Sequence, residues 1–266
     1  GVANYPDLET MLAERPELDA IALCQPPQAR FAAACTALRA GKHVFLEKPP
    51  GVTLSEVEIL ISLAKAQGTT LYASWHSRYA DGVARAKAWA SERAITRVSI
   101  NWKEDVRRWH PGQDWIWESG GFGVFDPGIN ALSILTEVLP EKVRLIHASL
   151  ETPANRGAPI AANMAMATES GAPITASFDW RQTGPQIWQI VFEAGDERFE
   201  FVQGGDDAAH TAEGEESGIA REYRAMYRHF ISLVQNGQSH VDLAPLQIVA
   251  DAFLRGENAV TEAFID

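Results

Sequence analysis

Cysteine is scarce in this chain: only Cys24 and Cys35 occur in 266 residues. Their spacing fits neither a disulfide framework nor a metal knuckle, which points to a reducing, cytoplasmic setting and to no structural metal. Each reads as a small hydrophobe of the kind that cores bury. Basic charge is short as well, with 23 Lys and Arg against 35 Asp and Glu and a formal charge of −12. Such a chain repels phosphate backbones and anionic lipid, so nucleic acid and membrane surfaces are excluded as partners and small uncharged or cationic ligands fit better. No apolar run approaches the roughly 18 residues of a membrane span. There is no signal-peptide pattern, no internal repeat and no low-complexity linker. Gly1 opens in mid-pattern without an initiator Met.

What is present is a large apolar fraction, 46%, enough for one large domain or two ordinary ones. Residues 8–14 read as a short helix and 18–24 (LDAIALC) as a buried strand, followed by the turn Gln25-Pro26-Pro27-Gln28. Apolar residues at helical spacing over 30–40 end at Gly41, an expected cap. Residues 43–46 form the next strand. The helix over 53–67 carries Leu54, Val57, Leu60, Ile61 and Ala64 on one face, is capped by Thr53 or Ser55 and stops at Gly68. A third strand covers 69–75. Strands alternating with helices of this length predict a parallel sheet with right-handed crossovers, half of a nucleotide-binding fold.

After a connecting helix at 81–90 the pattern changes. Residues 97–103 alternate as a strand, 126–139 read as a helix, and 143–151, 160–168, 173–181, 186–193 and 198–202 read as consecutive strands joined by turns such as Glu169-Ser170-Gly171. Ile174, Ala176, Phe178 and Trp180 alternate with polar residues, so that strand is half buried. The expectation is an α/β protein with a Rossmann-type parallel-sheet domain at 1–80 and a domain with a large, mostly antiparallel, open-faced sheet at 81–245. Helices at 220–235 and 245–261 finish the chain; residues 246–266 are expected to pack back on the first domain. Residues 204–218 read as a polar, acidic, mobile loop.

The stretch GKHVFLEKPPG, residues 41–51, carries the first chemistry. An apolar strand ends in Glu47-Lys48 and is locked by Pro49-Pro50, so Lys48 can neither continue the strand nor start a helix. It stands at the carboxyl edge of the sheet, where open α/β sheets bind ligands. On spacing alone a surface lysine in a Pro-rich turn reads equally well. Four of eight tryptophans lie in WKEDVRRWHPGQDWIWE, residues 102–118, mixed with charge. That mix suits a site that stacks on a flat apolar face while hydrogen-bonding polar groups, as sugars and nicotinamide rings require; the plainer alternative is a core Trp102 beside a solvated charge run. Glu104 and Trp109 are the first choices for substrate contacts, Trp115 and Trp117 for structure. In FDPGIN, Asp126 and Asn130 are four apart and share a helix face. Asp126 followed by Pro127 also reads as a plain N-cap. His76, just past the third strand, is a further polar group at the same edge, and a hydrogen-bonding structural role fits it as well.

The EKP motif, the Trp75-His76-Ser77-Arg78 edge, Asp126-Pro127-Gly128-Ile129-Asn130 and the long mixed sheet together resemble the glucose-fructose oxidoreductase, inositol dehydrogenase and MocA family of NAD(P)-dependent oxidoreductases. GKHVFLEKPPG, KEDVRRWHPGQDWIWE and FGVFDPGINALSI are more closely similar to its bacterial aldose 1-dehydrogenases for L-arabinose and D-galactose. The wider family usually has His where Asn130 stands; the arabinose/galactose group has Asn. The resemblance implies that the Gly-rich dinucleotide turn precedes Gly1, which leaves the choice of NAD or NADP unreadable here. It further implies catalysis by Lys48, Asp126 and Asn130 and sugar contacts from His76, Glu104, Trp109 and Trp188. Cys24, Gln25, Pro26, Gln28, Glu47, Lys48 and Pro49 would line the cofactor, and the open sheet face would form a homodimer. For Trp188 a plain core position is the alternative, since Ile190 and Phe192 share its face. The expected reaction is oxidation of an aldose at C1; a non-catalytic, dinucleotide-binding sugar sensor and an oxidoreductase for another polyol are the alternatives.

Overall fold

The computed structural model describes residues 2–202 and 218–265. The chain divides into two units, Gly1–Trp75 with Arg224–Leu243, and His76–Tyr223 with Ala244–Asp266. The expected loop at 204–218 lies outside the described residues, apart from Gly218. No helix among the described residues is long and apolar enough to cross a membrane.

In the first unit, α1 (Leu8–Glu14), β1 (Ala20–Leu23), α2 (Pro27–Arg39), β2 (His43–Leu46), α3 (Leu54–Gln67) and β3 (Leu71–Ala73) follow in turn. The three strands are parallel in the order β1-β2-β3. Val44, Phe45 and Leu46 of β2 are all buried, the signature of a central strand covered on both faces. Ile21, Leu23, Ala34, Leu38, Leu60 and Leu71 complete the core. Thr53 and Glu56 close a reciprocal capping box at the start of α3, which satisfies two amide donors that the helix cannot. Gly68 ends α3 in the left-handed region, φ 66°, as a helix stop requires.

The second unit holds α4 (Val83–Ser91), β4 (Arg97–Lys103), the single turn α5 (Val106–Trp109), α6 (Phe125–Val138), β5 (Val143–Pro153), β6 (Ala161–Thr168), β7 (Pro173–Asp179), β8 (Ile187–Ala194) and β9 (Glu197–Val202). A long helix, α7 (Gly218–Gln235), begins here and runs on into the first unit, and α8 (Ala244–Arg255) with β10 (Glu257–Thr261) closes the chain. The seven strands are ordered β10-β5-β6-β7-β4-β8-β9. The β10–β5 and β4–β7 pairs are parallel and the other four antiparallel. Helix α6 is buried along most of its length and comes close to the sheet because Gly128 has no side chain: a Cβ there would lie 3.1 Å from the Phe178 ring.

One expectation needs correction at the carboxyl end. The helix read over 245–261 stops at Arg255, and 257–261 is a strand paired in parallel with β5. Gly256 makes the break: a Cβ there would stand 2.4 Å from the Ala252 carbonyl oxygen and 2.9 Å from Leu150. Helix α8 buries Leu246, Ile248, Val249 and Ala252 and lies against α6 and β5; residues 244–266 group with the second unit and residues 224–243 with the first.

Candidate active site

The first unit carries a lysine at a sheet edge. β2 ends at Leu46, and Glu47, Lys48 and Pro49 turn away with the Lys48–Pro49 peptide in the cis form. Lys48 is half-buried, and its own amide donates to the Glu47 carboxylate at 2.9 Å. A residue absent from the sequence-based site holds this turn. Arg30 of α2, only 2% exposed, donates from Nη1 to the carbonyl oxygens of Glu47 and Pro49 and from Nη2 to that of Gln25. One planar guanidinium therefore ties the lysine turn to the turn after β1, a task that a single ammonium point charge could not share among three acceptors. Its signal was present in the periodicity: Arg30, Ala34 and Leu38 form one buried stripe of α2.

Cys24, Gln25 and Pro26 follow β1 at the same edge, and Gln28 is exposed in the first turn of α2. Cys35 is buried as expected, but Cys24 is exposed, because it lies beyond the end of β1 rather than within it. Partial desolvation of its sulfur by neighbouring groups, reinforced by the Glu47 carboxylate and opposed by Arg30, raises the Cys24 thiol above its ordinary value. It is a thiol rather than an activated thiolate.

The second unit, by itself, holds a buried carboxylate and an aromatic wall. Asp126 is 3% exposed and sits inside the first turn of α6, whose N-cap is Val124. The N-cap reading is therefore corrected: the helix begins earlier, because Phe122 takes a left-handed backbone, φ 71°, and the Val124 amide donates to the Pro159 carbonyl at 2.7 Å. This loop leaves no room for side chains at Gly121 and Gly123. A Cβ on Gly121 would meet the Trp115 carbonyl oxygen at 2.2 Å, and one on Gly123 that of Pro159 at 2.3 Å. The Asp126 carboxylate faces His110, Nε2 to Oδ2 at 3.5 Å. Half-buried Asn130 lies one turn further along the same helix.

His110 had no place in the sequence-based site. Its Nδ1 lies 3.3 Å from Gln113 Oε1, and its ring packs on Trp180 with centroids 5.1 Å apart. The only local signal was its position beside Trp109; the carboxylate partner comes from a different element. Trp117 packs on Trp180 from another side, centroids 5.3 Å apart. Beside these groups Trp102 and Trp188, cross-strand partners on β4 and β8, stack at 5.6 Å and 16°, and Trp109 leans on Trp188 at 5.8 Å. Buried Glu104 accepts the Trp102 indole N–H at 2.8 Å. Trp188 is half-buried, and its indole nitrogen finds no hydrogen-bond partner among the described residues. His76 is bound on one side: its Nδ1 lies 2.8 Å from the Glu222 carboxylate, which is buried, and its ring stacks on Tyr223 at 5.5 Å. No group of three or more metal-ligating side chains forms among the described residues.

The NAD-binding Rossmann-fold oxidoreductase family, GFO/IDH/MocA, matches residues 1–74. Galactose 1-dehydrogenase of Pseudomonas fluorescens is 42% identical over 100% of this chain and 86% of its own length. The chain belongs to this oxidoreductase family. As a member it is an NAD(P)-dependent oxidoreductase. A D-galactose-1-dehydrogenase structure from Rhizobium etli is 52% identical, with a TM-score of 0.91 over 100% of this chain and 85% of that one. The fold extends to GenD2 from gentamicin A biosynthesis, solved in complex with NAD, at 18% identity and a TM-score of 0.82 over 94% and 79% of the two chains. The residues of the first unit suit such a cofactor. Half-buried Pro26 offers a flat apolar face without a competing amide donor, and Arg30 holds both turns at the carboxyl ends of parallel strands, the edge where this fold places its nucleotide.

Proposed function

We propose that this member of the family is an aldose 1-dehydrogenase that oxidises D-galactose, L-arabinose or both at C1 to the aldonolactone. The observation that carries the reading is the buried Asp126 carboxylate facing half-buried His110, with His110 on the same short segment as Glu104 and the Trp109 face. Whole-length similarity to two galactose 1-dehydrogenases supports it. When bound, the oxidised nicotinamide supplies the acceptor for the hydride that leaves C1. Loss of that hydride and of the O1 proton turns the C1–O1 bond into the lactone carbonyl. Lys48 and Asp126 are assigned to the removal of the O1 proton. Asn130 holds the hydroxyl in place, and fixed geometry rather than a covalent intermediate does the rest. Glu104 and His76 bind further hydroxyls, while Trp109 and Trp188 wall the ring. Cys24, Gln25, Pro26, Gln28, Glu47, Lys48 and Pro49 line the cofactor.

L-arabinose repeats the stereochemistry of D-galactose from C1 to C4 and lacks only the C6 carbinol. A pocket that reads the shared hydroxyls accepts both, since sites discriminate strongly on hydrogen bonds and weakly on a group left in water. The test is a panel of sugars with the intact protein and each nicotinamide dinucleotide, followed by nicotinamide absorbance. Both aldoses should be turned over, and Lys48→Met should lower kcat far more than it raises the cofactor KM. Activity on inositols or dihydrodiols with neither aldose defeats the reading, and dinucleotide binding without turnover of any sugar replaces it with a sensor. A homodimer through the open sheet face and a cytoplasmic location complete the proposal; a monomer mass in sedimentation equilibrium removes the dimer.

A further inference from the structure

Gln186 lies immediately before β8 and is 7% exposed. Its carboxamide oxygen accepts the Asp105 amide at 2.7 Å and the Trp109 indole N–H at 3.3 Å, and its nitrogen donates to the Gly184 carbonyl at 2.9 Å. Two donors on one side and one acceptor on the other match a carboxamide in one orientation only. Asp105 is the N-cap of α5 and Trp109 its last residue, so one buried side chain grips both ends of the turn that carries Trp109.

We infer that Gln186 is a positioning residue that sets the Trp109 indole so that its ring face, not its N–H, meets the substrate. The inference rests on the proposal that Trp109 contacts the sugar. The neighbouring indoles are treated alike: the Trp102 N–H is taken by Glu104, and that of Trp188 is buried. Half-buried Trp109 and Trp188, with buried Trp102 stacked on Trp188, form a wall of π-faces whose polar atoms are turned into the protein, complementary to the C–H face of a pyranose and poor at gripping its hydroxyls. Hydroxyl recognition is left to the carboxylates and amides around the wall.

The experiment compares Gln186→Leu, Gln186→Glu, Trp109→Phe, Trp109→Ala and the Trp109→Phe/Gln186→Leu double variant of the intact protein. Gln186→Leu should raise the sugar KM about tenfold, as expected for losing a fixed buried hydrogen bond, with the cofactor KM unchanged. Trp109→Phe already lacks the N–H, so adding Gln186→Leu to it should change the sugar KM by less than about twofold. The Trp109 indole N–H resonance, assigned by its loss in Trp109→Phe, should gain solvent exchange in Gln186→Leu. Gln186→Glu keeps the acceptor but sets a second oxygen against the Gly184 carbonyl when ionised. Its sugar KM should therefore fall towards the wild-type value as pH is lowered, with no such trend in the wild type. If Gln186→Leu leaves the sugar KM unchanged while Trp109→Ala raises it, or if the double variant shows the full product of both effects, the positioning role is overturned and the Trp109 contact stands. If Trp109→Ala has no effect on the sugar KM, the contact itself is wrong and this inference goes with it.

Discussion

Replacing Arg30 by Met tests how the lysine edge is held. The guanidinium is buried and serves three carbonyl oxygens, those of Glu47, Pro49 and Gln25. Hydrogen bonds from a charged donor are worth about 1.5–3 kcal/mol each, and a buried acceptor left bare costs about 1–3 kcal/mol. The Pro49 contact is buried, whereas those to Glu47 and Gln25 are partly buried. Water can reclaim the latter two, so they lose roughly 0.5–1 kcal/mol each while Pro49 bears the full penalty. Removing a buried cation returns some desolvation free energy, and a net loss of about 2–3 kcal/mol remains. For a chain of this size that lowers the midpoint of thermal unfolding by about 5–10 °C. Calorimetry should place the shift in the transition of the first unit, with Arg30→Lys between the wild type and Arg30→Met, because an ammonium can reach one carbonyl but not three. In turnover the cofactor KM should rise more than the sugar KM. A loss below about 1 kcal/mol, or equal losses for Lys and Met, would show that the three bonds do not hold the turn and would refute the reasoning.

Gly123→Ala should destabilise the fold by about 3 kcal/mol or more in urea denaturation, since it combines φ 53° with a Cβ 2.3 Å from the Pro159 carbonyl oxygen. Gly171→Ala, at φ 95° with open space around its Cβ, carries only the conformational term of about 1–2 kcal/mol, and equal effects at the two positions would remove the close-approach argument. Burial alone would raise the Asp179 carboxyl, but hydrogen bonds from the Arg181 side chain and amide and the Arg181 charge outweigh it and hold the group below its ordinary 3.8. A depressed folded-state value means stability that is complete above 3.8 and is lost as pH falls below it. The wild type should therefore lose stability on acidification more steeply than Asp179→Asn, and parallel pH profiles would contradict the assignment.

Local chemistry made the first unit legible. Period-2 and period-3.6 patterns, a capping box at Thr53 and a stop at Gly68 act within a few residues of themselves, and the observed β1 to β3 follow them. β10 was hidden for the opposite reason. Residues 257–261 are a strand only because β5, more than a hundred residues earlier in the chain, offers a parallel edge, and nothing in E-N-A-V-T announces that partner. Asp126 misled in a subtler way: Asp before Pro is a good cap, and only the crowded Gly121–Gly123 turn, which draws the helix start back to Phe125, leaves its carboxylate for His110. His110 could be noticed in the sequence, but its pairing depends on the packing of α6 and Trp180, which no spacing encodes.

Arg30 and Gln186 show one device used twice, and neither carries a reactive group. Each is buried, each has a planar head with several hydrogen-bonding positions, and each binds the backbone of a loop just beyond a strand end rather than any candidate ligand. Loops carry reactive side chains because they can vary, but a loop free to move cannot hold a hydroxyl, a base and an aromatic face within the narrow tolerance that hydride and proton transfer require. A planar head that satisfies two or three polar groups at once removes that freedom without adding a reactive group of its own. Substituting it should therefore disturb binding constants and stability before it disturbs the chemical step, while Lys48 and Asp126 should show the reverse order.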